Sequence, residues 1–127
     1  MKNFLKCGIM GWCFECIWTG FNSYKKKKSV KLECNTSLWM FLIYGMACII
    51  SPIYKLIKYF PGYIRGSIYT LGIFATEYFT GSFLKKHNAC PWDYSESDYN
   101  IKGLIRLDYA PLWFIAGLIY EKFLCSK

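Results

Sequence analysis

The chain has 127 residues, enough for one ordinary domain. Apolar residues make up 54% and aromatics 20%, and mean hydropathy is +0.18 despite 16 Lys and Arg against 8 Asp and Glu. A soluble domain of this size carries more charge and fewer aromatics. The net charge of +8 lies in clusters beside apolar runs, not on one folded face, which excludes a nucleic-acid partner and favours anionic lipid headgroups.

The first apolar run covers about residues 4–22. Glu15 interrupts it and no small-residue cleavage site follows, so it reads as a retained helix, not a signal peptide. The second covers 37–57, uncharged until Lys55, with Asn35, Thr36 and Ser37 available as helix N-cap residues and Pro52 expected to kink its end. The third runs over 63–84 after Pro61-Gly62, and the fourth over 107–124. At ~1.5 Å per residue such runs reach about 27–32 Å, the thickness of a bilayer core. The expected fold is all-α: a polytopic membrane protein of four transmembrane helices in an antiparallel bundle. One membrane domain covers 1–127, with a structured interfacial loop at 87–106.

Alternating spans put the N-terminus, the loop at Pro61 and the C-terminus on one membrane face. The loops at Lys25–Lys31 and Cys90–Ser97 share the other. The second face carries nine Lys and Arg against seven, Lys127 among the seven, which favours it weakly as cytoplasmic.

Charges inside apolar runs carry the most information, because a carboxylate near mid-bilayer costs several kcal/mol unless paired, protonated or hydrated. Glu15 shares a helical stripe with Gly8, Gly11 and Thr19. Glu77 shares one with Gly66, Thr70, Ile73 and Gly81, and Glu121 one with Ala110, Trp113 and Gly117. Small residues let helices approach closely, so each acid lies on a face that meets a neighbour. Glu15 and Glu77 fall at matching depth, roughly 16–18 Å below one face, and were they adjacent they could not both stay charged unaided. Glu15, Glu77, Thr70 and Glu121 form the candidate intramembrane polar site, read as a proton- or cation-responsive site in a transport path. In the bland alternative, each Glu bonds a Tyr, Trp or Thr and fixes packing.

The segment "CPWDYS" (Cys90 to Ser95) follows Lys85 and Lys86. Trp92 and Tyr94 suit the headgroup zone, and Asp93 can cap a turn. Asp93 or Asp108 is expected to pair with Arg106. Arg65, Trp92, Asp93, Tyr94, Arg106 and Asp108 are assigned to an interfacial cap, serving as an anchor or as a coupling surface, and Arg65 near its span end can snorkel to headgroups. Of seven Cys, several sit in apolar runs as small hydrophobes. Cys13-x-x-Cys16 lacks a βαβ setting for redox chemistry, and with one His no zinc set is complete. No cofactor or metal is expected.

The stretches "SLWMFLIYG" (Ser37 to Gly45), "RGSIY" (Arg65 to Tyr69), "EYFTG" (Glu77 to Gly81), "CPWDYS" and "GLIRLDYAPLWFIAGLIYE" (Gly103 to Glu121) resemble the bacterial family of small membrane proteins labelled putative ABC-transporter type IV, or CmpB-like. "ECIWTG" (Glu15 to Gly20) fits too, so the resemblance covers nearly the whole chain. It implies a transporter membrane component or permease-like subunit in a bacterial plasma membrane. No Walker A motif is present, so an ATPase must come from a separate chain. A bundle this small also implies a homo-oligomer. The alternatives are an accessory or sensor membrane protein and an intramembrane lipid-modifying enzyme using Glu77, Asp93 or Asp108. A non-enzyme is the favoured reading.

Overall fold

A computed structural model describes residues 1–28 and 30–125. Ser29, within the stretch Lys25–Lys31 read above as a loop, and Lys127, counted above among the basic residues, lie outside the described residues, as does Ser126.

The described chain is mostly helical. Helix α1 spans Lys2–Lys27 and ends at Lys28, whose left-handed backbone (φ 50°) lets its N–H reach the Tyr24 carbonyl at 2.8 Å. Lys25, Lys26 and Lys27 occupy its last turn, where positive charge complements the exposed carbonyls. Helix α2 spans Leu38–Ile57. Ser37 caps it by accepting the Met40 N–H at 3.3 Å, as its position before the apolar run predicts. A 3₁₀ turn at Met46–Ile49 interrupts its α-geometry. Pro52 accounts for the irregularity: it has no N–H to offer the Cys48 carbonyl four residues back, and its ring crowds that carbonyl.

Helix α3 spans Gly62–Lys86 and helix α4 spans Ala110–Cys125. Between them lies an antiparallel hairpin, β1 (Asn100–Ile101) and β2 (Ile105–Arg106), with Asn100 opposite Arg106 and Ile101 opposite Ile105. Its turn has positive φ at both Lys102 (53°) and Gly103 (71°), the sign pattern of a type I′ turn, and Leu104 N–H reaches the Ile101 carbonyl at 3.0 Å. Sequence pattern gave no hint of strands, because each is only two residues long.

The four-span expectation is overturned. Among the described residues, only α2 is both long enough and apolar enough to cross a membrane. Helix α4 starts at Ala110, after a short 3₁₀ turn at Leu107–Tyr109, and its 16 residues reach only about 24 Å. Helices α1 and α3 have the length but not the composition. Lys2, Lys6 and Glu15 punctuate α1, and Arg65, Glu77 and five Ser and Thr residues punctuate α3. Reading apolar residues as runs treats these interruptions as isolated charges inside a span, whereas together they lower the hydropathy of the whole helix.

Contacts divide the chain into two compact units, Met1–Cys48 and Ile49–Lys127, with the division inside the 3₁₀ turn of α2. In the first unit, α1 packs on the first half of α2. Cys7 is fully buried there, and Phe41 stacks with Phe4 and Trp12 at centroid distances of 6.3 and 4.7 Å. In the second, α3, α4 and the last turns of α2 pack together around Tyr69, Leu84, Leu104, Ile105 and Tyr120.

Candidate functional site

The glycine-and-acid stripe of α1 does face a neighbour. A Cβ at Gly8 would lie 2.7 Å from the Phe41 ring, and one at Gly11 would overlap Tyr44. This close approach brings the Tyr44 hydroxyl to the Glu15 carboxylate, to which it donates at 2.7 Å. One turn on, Thr19 Oγ1 donates to the Glu15 carbonyl at 2.6 Å and accepts the Asn35 N–H at 3.0 Å. Trp12 Nε1 donates to the Ser37 carbonyl at 2.9 Å. The segment leading into α2 is therefore laced to α1 at two levels.

A second cluster forms where α3 meets α4. Gly66 seats the Phe114 ring and Gly117 seats Tyr69, so the two helices approach closely. Arg65 Nε and Nη2 donate to the two oxygens of Glu121 at 2.9 and 3.0 Å, a bidentate pair. The Tyr69 hydroxyl adds a third donor at 2.5 Å. Arg65 Nη1 donates to the Phe60 carbonyl at 2.7 Å, and its guanidinium lies 5.7 Å from the Tyr54 ring centroid. Arg65 and Glu121 side chains are only 21% and 11% exposed, so this pair is largely shielded from water. Arg65 is thus bonded within the protein to Glu121 and the Phe60 carbonyl.

Thr70 and Glu77 are also buried on α3. Thr70 Oγ1 donates to the Gly66 carbonyl of its own helix at 2.8 Å, so it is not directed at a carboxylate. Glu15 and Glu77 fall in different units.

The cap is built on Trp92. Its indole N–H donates to the Leu104 carbonyl at 3.0 Å, and it shares a seat on α3 with Leu104: a Cβ at Gly81 would lie 2.9 Å from Leu104 and 3.0 Å from Trp92. Gly81, expected to face a helix, instead receives this loop. Asp93 Oδ1 accepts the Ser95 N–H at 3.0 Å, and Tyr94 N–H reaches the Gly103 carbonyl at 2.9 Å. Asn100 Oδ1 accepts Gly103 N–H at 2.9 Å and so braces the turn. Asp108, not Asp93, pairs with Arg106, at 2.8 and 2.9 Å. The Arg106 guanidinium lies 4.5 Å from the Tyr109 ring, which stacks edge-on with Tyr94 and Trp113. Outside the apolar helix, two carboxyls are held below the usual carboxylate range: Asp93 by the Ser95 backbone N–H, Asp108 by the Arg106 side chain.

The sequence reading missed Tyr44, Tyr54 and Tyr69, the residues that complete the two helix–helix clusters. A weak signal existed. Tyr69 lies four residues after Arg65 on one helical face, and Tyr44 adjoins Gly45 in an otherwise uncharged helix.

The sequence profile of the family described as putative ABC-transporter type IV matches residues 2–126. The chain belongs to this family. As a member, it is an ABC-transporter-related protein, and the apolar helix α2 fits a membrane location. No solved structure matches the chain. Among the described residues, no three His, Cys, Asp or Glu side chains group as metal ligands.

Proposed function

We propose that the protein is a membrane-anchored component of a transporter, held in the bilayer by α2 and working beside an ATPase on a separate chain. The family match over 2–126 carries this reading. Two features support it. Helix α2 presents Leu38, Trp39, Leu42, Met46, Ile49 and Leu56 outward, an apolar surface suited to acyl chains or to apolar helices of a partner. The sequence has no phosphate-binding loop of its own.

Within this role Glu15 and Glu121 hold helices together and do not line a path. Glu15 accepts from Tyr44, and Glu121 accepts three hydrogen bonds. A transported cation would have to displace those donors. This favours an accessory or coupling part over a permease that forms the path itself. The cap at 90–109, hydrogen-bonded internally and carrying exposed Tyr99, Ile101 and Leu107, is the coupling surface in this scheme.

The test is affinity capture of the tagged full chain from detergent-solubilised native membranes, followed by mass spectrometry. An ATPase subunit should co-purify, and replacing Tyr99 and Leu107 with Ser should release it. Recovery of the chain in the soluble fraction without detergent, or capture with no ATPase, would overturn the proposal.

A further inference from the structure

Three thiols lie where α1 meets the segment entering α2. Cys13 and Cys16 are one turn apart on α1, and Cys34 lies just before the laced residue Asn35. Three contacts fix the place of Cys34. Asn35 N–H is held on Thr19 Oγ1 at 3.0 Å. A Cβ at Gly20 would lie 3.0 Å from the Leu32 carbonyl oxygen and 3.8 Å from the Cys34 Cβ. Gly20 and Cys16 are four residues apart on one helical face. The segment therefore runs along the face of α1 that carries Cys16. The neighbouring Cys34 side chain, through a hydrogen bond, raises the Cys16 thiol above its ordinary value. Cys34 is exposed and Cys16 half-buried.

From this placement we infer that Cys16 and Cys34 form a dithiol site that a small-molecule disulfide oxidises to an intramolecular disulfide. The exposed Cys34, as thiolate, attacks one sulfur of the small disulfide. One small thiolate leaves, and a mixed disulfide remains on Cys34. Cys16, as thiolate, then attacks the Cys34 sulfur and expels the second small thiolate. The two protons lost by the cysteines are taken up by the two thiolates released, so one small disulfide becomes two thiols. The order follows from exposure and from the raised Cys16 thiol, which is the poorer first nucleophile at neutral pH. The product ties residue 34 to α1, and so fixes the stretch that ends in the Ser37 cap of α2. The C-x-x-C motif supplies one partner of the pair, and the second lies outside the motif.

The full chain, purified in detergent, is treated with oxidised glutathione, blocked with N-ethylmaleimide and mapped by peptide mass spectrometry. The wild type should yield a peptide pair joined through Cys16 and Cys34 that dithiothreitol removes. Cys16→Ala should lose this link and retain glutathione on Cys34. Cys16→Ser provides the same reading where the alanine variant is poorly produced. Cys13→Ala should keep the link. Cys34 left unmodified in the wild type, Cys34 joined to Cys13, or a Cys16 variant with no more glutathione on Cys34 than the wild type would each overturn the inference.

Discussion

At the scale of single residues, the strongest polar commitment is Glu121. It takes a bidentate Arg65 pair and the Tyr69 hydroxyl in a largely shielded site. Removing one partner of such a pair leaves a charge poorly solvated, which typically costs 3–5 kcal/mol when fully buried. The residual exposure here lowers the expectation for Arg65→Ala to about 2–3 kcal/mol. Tyr69→Phe removes one hydrogen bond to a charged acceptor and should cost about 1.5–3 kcal/mol. Arg65→Lys keeps the charge but not the two-pronged geometry, so it should recover only part of the loss. Unfolding in mild detergent measures all three; equal stability of Arg65→Ala and wild type would show that the pair contributes nothing. The cap offers a pH test of opposite character. Asp93 and Asp108 have depressed folded-state pKa values, so their contribution is present above the unfolded carboxylate pKa of about 3.9 and is lost as pH falls through the lower folded values. Acidification from pH 5 toward 3 should therefore loosen residues 90–109, seen as lower amide protection factors at matched intrinsic exchange rates and a change in Trp92 emission. Asp93→Asn with Asp108→Asn should flatten that response. Single residues also show what sequence could reveal. The acids and their small-residue faces were legible, since a helix of known period fixes which residues share a stripe. Their partners were not, because a Tyr in a chain with 11 of them carries no mark of its contact.

At the scale of elements, glycine decides which helix faces meet. Gly11 and Gly66 lie under aromatic rings, whereas nothing comes within 4 Å of a Cβ at Gly72. Gly11→Ala and Gly66→Ala should each destabilise by about 1–3 kcal/mol through overpacking against Tyr44 and Phe114. Gly72→Ala on the same α3 should instead stabilise by up to about 1 kcal/mol, because open space leaves only the helix-propensity gain. Thermal unfolding of the three variants gives the comparison, and a uniform response would show that helix propensity, not close approach, governs these positions. The small-residue stripes were readable because their spacing is periodic. The hairpin and the seat of Trp92 on Gly81 were not. They depend on a turn of two residues with positive φ, one of them Lys102, and on contacts between residues more than ten positions apart. Helix ends were partly legible: Ser37 marked the start of α2, but α4 begins three residues later than the apolar pattern suggests, after the 3₁₀ turn.

At the scale of the whole molecule, the question is how the chain meets a bilayer. Counting apolar residues gives four spans, yet among the described residues only α2 combines 20 residues with a composition that lipid tolerates. If α2 is the anchor, a charge placed at its outward-facing middle must enter the hydrocarbon core. Ile49 is 51% exposed and close to the centre of Leu38–Ile57, so Ile49→Arg should cost about 2.5–3.5 kcal/mol on insertion scales. That lowers the membrane-bound fraction, read as protein retained in the pellet after alkaline extraction. Ile17 on α1 is 69% exposed and serves as the control. Ile17→Arg should leave retention near the wild-type level, because α1 already carries Glu15 and five lysines and gains little from lipid. A loss of retention at Ile17 as large as at Ile49 would mean that α1 shares the anchoring. The two substitutions introduce the same charge at similarly exposed isoleucines, so the difference between them isolates the helix and not the residue.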